Sequence, residues 1–168
     1  RMIQIAQEKM PAARLIQHDF SKGLPTELGD SKFDAIICTY AIHHLEDAAK
    51  IDFLKELRTN LHPAGRIYIG DVAFATREEW NICRENSGDE WDDEEIYIVA
   101  DEIKSNISDL RYEKISHCAG ILTLDARTEF DIVSMKCVSW QKMISTTLFC
   151  CTSSITTPTR AANGHRKP

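Results

Sequence analysis

The chain has 168 residues, 20 Lys+Arg against 26 Asp+Glu, a formal net charge of -6 and 43% hydrophobic residues. That length suits one compact core, the apolar fraction is too high for a disordered chain, and no 18-residue apolar run is present to cross a bilayer. An acidic surface also argues against nucleic acid as the main partner, since phosphate binding needs positive charge.

The six cysteines, Cys38, Cys83, Cys118, Cys137, Cys150 and Cys151, include no CxxC pair. They read as reduced thiols of an intracellular, cytoplasmic protein rather than as a zinc site or disulfide framework. No secretory opening is visible, and the start at Arg1 points to an N-terminus further upstream.

In chain order, Met2, Ala6 and Met10 recur every four residues and predict the end of an amphipathic helix stopped before Pro11. Residues 13–18 form a short apolar run, expected as a strand ending at His18-Asp19. Residues 33–40, FDAIICTY, are nearly all apolar and too short for a helix, as in strands buried on both faces. From Asp47 to Leu61 the period changes: Ala49, Phe53, Leu57 and Leu61 mark a helix, ended by a turn at Pro63-Ala64-Gly65. Residues 66–72 are a further strand closing on Gly70-Asp71. Thr76 and Glu79 fit a capping box, and Asp92 with Glu95 predicts another helix carrying Ile96, Val99, Ala100, Ile103 and Ile107 on one face. Residues 112–116 and 120–124 predict two strands joined as a hairpin.

The alternation predicts an α/β fold with a doubly wound, mostly parallel sheet over residues 1–125. Residues 126–168 differ: twelve of the 43 are Ser or Thr, and the net charge there turns positive. They are expected to form a low-order tail, of native or foreign origin, whose removal leaves the body's stability nearly unchanged.

Ligands of open parallel sheets bind beyond the carboxyl ends of the strands. Polar residues stand at three such ends, His18-Asp19, Cys38-Thr39-Tyr40 and Gly70-Asp71, so Asp19, Thr39 and Asp71 are expected near one edge. Each has a plainer alternative. Asp19 could cap its loop with Ser21, Asp71 could be a solvated strand end, and Cys38 a structural thiol. The run Glu85 to Glu95, seven acids in eleven residues, reads as a solvated face and helix start, or as a lid over a cationic or neutral acceptor. His43-His44 gives no metal signature, because neighbours on a helix diverge by about 100 degrees and no i,i+4 His pair exists. No metal is expected.

The strings HDF-SKGLP, KFDAIICTYAIHHLED, LHPAGRIYIGD and YEKISHCAGILTL, in this order and spacing, resemble a class I S-adenosylmethionine-dependent methyltransferase. The likeness covers about residues 1–124 and is to small stand-alone bacterial enzymes of the YrrT kind. It implies a Rossmann-like sheet, with S-adenosylmethionine as cofactor and a small-molecule methyl acceptor as partner, without nucleic acid or membrane. By that likeness Asp19, beside Phe20, takes the place of the acid that holds the adenine amino group. The segment Cys38, Thr39, Tyr40 and Ala41 passes beside the methionine end of the cofactor. His43 or His44 could take a proton from the acceptor.

The family's GxGxG loop and the acid holding the ribose hydroxyls have no counterpart. The chain has seven glycines, none before Gly23. The resemblance therefore implies a sheet incomplete at its N-terminal side and impaired cofactor binding. Two alternatives remain: a non-enzymatic fragment or interaction module, and a dinucleotide-dependent oxidoreductase.

Overall fold

The structure is a computed structural model that describes residues 2–126 and the backbone of residues 147–150. Helix α1 (Met2–Lys9) opens it, as the four-residue spacing predicts, and lies largely exposed. Strand β1 (Phe33–Thr39) buries Phe33, Ile36 and Cys38. Helix α2 (Asp47–Thr59) follows and packs Phe53, Leu54 and Leu57 into the core, at the period that the sequence shows. It ends at Asn60, whose N–H returns to the Leu57 carbonyl while its side chain donates to Ser31 O.

Strand β2 (Leu61–Phe74) runs parallel to β1. The turn expected at Pro63-Ala64-Gly65 is absorbed into it as a bulge. Pairing steps from Phe33↔Leu61 to Ala35↔Arg66, so the extra residues of β2 arch away from β1. Gly65 is required there, since a Cβ would meet the Phe33 carbonyl oxygen at 2.6 Å, and that atom is backbone. At Gly70 the nearest atom would be 3.7 Å away, in ordinary contact. Gly65→Ala should therefore cost about 1–3 kcal/mol in urea unfolding, and Gly70→Ala clearly less. Equal losses would show that the bulge yields.

Helix α3 (Arg77–Ser87) starts on the predicted capping box. Thr76 Oγ1 accepts from the Glu79 N–H at 3.3 Å, while the Glu79 carboxylate reaches back to the Ala75 N–H. The next prediction is corrected. No helix begins at Asp92; the chain instead forms strand β3 (Ile98–Val99), parallel to the end of β2, and only a short helix α4 (Ala100–Lys104). The apolar residues named for that helix do enter the core from Val99 onward. The stretch before them is drawn out, because the Ile96 N–H donates to His43 O. Strands β4 (Arg111–Lys114) and β5 (Ala119–Asp125) form the expected hairpin, antiparallel to each other and to β2.

Residues 13–18 do not form a strand. The two neighbours of β1 are β2 and a strand β6 (Thr147–Cys150), parallel to it, and the run pairs with no strand among the described residues. It is held instead by its own loop, Arg14 donating to Glu27 O and His18 Nε2 lying 3.0 Å from Gly23 O. The sheet order is β4-β5-β2-β1-β6, with β3 beside β2. It is a mixed α/β sheet with mostly parallel strands.

The rest of the expected tail lies outside the described residues, but β6 is part of the sheet. Ending the chain at Arg127 would uncover the outer edge of β1, with its row of unpaired N–H and C=O groups. Light scattering after size exclusion should then show self-association. A monodisperse truncated form would show that β6 can be spared.

Candidate functional site at the carboxyl ends of β1 and β2

Thr39 pairs with Gly70, and the Tyr40 N–H donates to Gly70 O at 2.9 Å, so β1 and β2 end together. Tyr40 then takes the left-handed conformation, at φ 48°, which costs a non-glycine residue about 1–2 kcal/mol. The turn exposes Tyr40 and sends Ala41 and Ile42 back into the core.

Asp71 makes that turn possible. The expectation of a solvated strand end is overturned: Asp71 is 2% exposed. Its Oδ2 accepts the N–H groups of Ala41 and Ile42, each at 3.1 Å, and its Oδ1 accepts the Val72 N–H at 2.8 Å. The same Oδ1 lies 2.5 Å from His43 Nδ1. A carboxylate only accepts, so Nδ1 carries the hydrogen and Nε2 is the ring's other face. The hydrogen bond that His43 donates to Asp71 raises its pKa, against the opposing effect of burial.

His43 and His44 lie in one 3-10 turn (Ile42–His44), with ring centroids 4.3 Å apart. Glu95 faces both: its Oε2 is 3.4 Å from His43 Nε2 and 3.1 Å from His44 Nδ1. The spacing argument from helix divergence does not hold here, because a third residue from a distant segment gathers the two rings. Sequence reasoning missed Glu95, which lay in an acidic run read as solvated. No local signal marks it out; its neighbour Ile96 donates its N–H to the His43 carbonyl, which brings the segment to the rings only in the fold. Lys50 was missed too. It is fully buried in α2, its ammonium held 2.8 Å from Asp47, and burial lowers its pKa.

Of the other expected site residues, Cys38 is buried inside β1 and Thr39 is exposed at its end. Phe20 packs its ring 5.6 Å from that of Phe53, beside a shallow pocket that Leu45, Ala49 and Glu56 also line. Asp19 caps the turn Phe20–Lys22, accepting from the Ser21 N–H and hydroxyl and pairing with Lys22 at 3.3 Å. Those hydrogen bonds from Ser21 and Lys22 lower its pKa. So Thr39 and Asp71 share one end of the sheet, while Asp19 is engaged by its own loop.

This is the sheet end at which open α/β folds hold their ligands. In sequence, residues 1–65 match the family described as "Methyltransferase domain". The chain is 36% identical over 77 residues to an uncharacterized methyltransferase, OB1106, of Oceanobacillus iheyensis. That stretch is 46% of this chain and 35% of the relative, so the match spans about a third of the curated protein's length. In structure, the fold is similar to the PH0226 protein of Pyrococcus horikoshii OT3, with a TM-score of 0.54, 18% identity, and coverage of 74% of this chain and 66% of that one. It is also similar to the protein of the "DhpI-SAM-HEP complex", with a TM-score of 0.53, 13% identity, and coverage of 73% and 62%. The family model and the curated relative thus share sequence with part of this chain, and the solved structures share its fold.

Proposed function

We propose that the chain serves methyl transfer from S-adenosylmethionine to a small-molecule acceptor, weakly in these 168 residues. The observation that carries this reading is Asp71, one buried carboxylate that fixes both the backbone turn after β1 and the ring of His43. The residues present fit part of the cofactor. The Asp19 carboxylate is half exposed beside Lys22, with lone pairs left for an amino group, and Tyr40 stands exposed at the turn. No GxGxG sequence is present to cradle the methionine carboxylate.

Bound there, the cofactor would supply a methyl group already activated by its sulfonium. The protein's work is then to align the acceptor and to take its proton. His43 is suited to that proton, since Asp71 holds Nδ1–H and leaves Nε2 to accept. His44, more exposed, is the alternative acceptor.

Saturation-transfer NMR reads millimolar binding and tests the proposal. Wild-type protein should transfer signal to the adenine protons of S-adenosylmethionine, and Asp19→Ala should lose most of it. No transfer from the wild type would leave the non-enzymatic module as the better reading, which the engagement of Asp19 by Ser21 and Lys22 already favours in part.

A further inference from the structure

We propose that His43, His44 and Glu95 form a binding site for one divalent transition-metal ion, of the zinc or cobalt class. The ligand atoms are His43 Nε2, His44 Nδ1 and a Glu95 carboxylate oxygen, all within 4.8 Å of one another. Two of the three separations are 3.4 and 3.1 Å. A tetrahedral zinc ion with bonds of about 2.0–2.1 Å sets its ligands about 3.3 Å apart, so the spacing suits a shared ion. Two imidazoles and one carboxylate are a donor set for zinc and its first-row neighbours rather than for calcium or magnesium.

Glu95 supplies a second, independent observation. Its Oε2 is a buried atom that receives no hydrogen bond among the described residues, although two ring nitrogens lie close to it. A buried carboxylate oxygen without a donor is costly, and a cation between it and the rings would relieve that cost. Asp71 supplies a third. It binds the far nitrogen of His43, the outer partner that metal-bound histidines use to fix tautomer and ring orientation. The site is also held in advance, since the Ile96 N–H ties the Glu95 segment to the His43 carbonyl at 3.0 Å. His44 and Glu95 are part exposed, which leaves a side open to an outside ligand.

The inference stands apart from methyl transfer, because it concerns the ion alone. If both hold, Nε2 of His43 serves the ion and the acceptor's proton goes elsewhere.

Cobalt(II) titrated into chelator-stripped full-length chain tests it. One equivalent should bind with the visible bands of a four- or five-coordinate site, and zinc should displace it. Glu95→Gln and His44→Ala should each weaken binding at least about tenfold. Binding weaker than millimolar, or equal binding by both variants, would overturn the site. Far-UV circular dichroism without metal checks that the variants fold. Should either not fold, the zinc-edge absorption spectrum of the wild type decides. A nitrogen and oxygen shell with imidazole scattering supports the site, and sulfur in the shell refutes it by assigning the ion to the cysteines. Loss of methyl transfer with metal binding intact would count against the proposed function only.

Discussion

Asp71→Ala is expected to lower the unfolding free energy by about 3–5 kcal/mol, a large share of what a small domain has. The reason is what the carboxylate leaves behind. Ala41 and Ile42 are buried, and their N–H groups have Asp71 Oδ2 as acceptor. Each buried donor stranded in this way costs about 1–3 kcal/mol. The turn they hold includes the left-handed Tyr40, so its strain would no longer be opposed. Asp71→Asn keeps one carbonyl oxygen and should cost less, but its amide nitrogen must face either the two N–H groups or His43 Nδ1–H. Urea unfolding followed by circular dichroism measures both. An alanine variant within 1 kcal/mol of wild type would mean that the turn finds other partners, and Asp71 would no longer anchor the site.

The second large effect concerns cofactor affinity. The 168-residue chain should bind S-adenosylmethionine at about millimolar or weaker. Under the proposed function Asp19 and the 38–41 segment would provide two contacts, whereas a ribose-holding acid and a glycine loop have no counterpart in the sequence. Each missing charge-assisted hydrogen bond is worth roughly 1.5–3 kcal/mol, or on the order of 10- to 100-fold in affinity. A form extended upstream of Arg1 by a strand, a GxGxG loop and a helix should reach about micromolar. Calorimetry on both forms separates the cases. Micromolar binding by the short form would remove the need for the loop, and failure of the extended form would count against S-adenosylmethionine itself.

Legibility in the sequence followed the range of the interactions. Strand β1 and helix α2 were readable because their burial pattern is local: Ile36 and Cys38 lie within one apolar run, and Phe53 and Leu57 are one helical turn apart. The capping box at Thr76 was readable for the same reason. Residues 13–18 looked like a strand because they are apolar, yet a strand needs a partner, and the run pairs with none among the described residues. The false helix at Asp92 had a good start and a good stripe. What overrode it was the pairing of Ile98 and Val99 with Ala73 and Phe74, which no local pattern records. In the site, His43 and Asp71 were each visible but not their bond, which spans 28 residues. Glu95 was hidden among six other acids, and only the fold selects it from them.

One pairing has a consequence for how the chain is made. β1 and β2 are near neighbours in sequence, but Ala35 also pairs with Thr147, on the order of a hundred residues later. On the ribosome the β1–β2 pair can form as soon as β2, ending at Phe74, has emerged. Its outer edge must then wait for residues 147–150. At about 5–20 residues per second, the intervening stretch takes on the order of 4–15 s to synthesise. For those seconds the nascent chain carries an open strand edge, while Tyr40, Tyr68, Ile3 and Ile5 are exposed as well. Yield of native protein should therefore depend on what shields that edge during translation, and slow decoding between codons 75 and 147 should favour aggregates of an otherwise unchanged sequence.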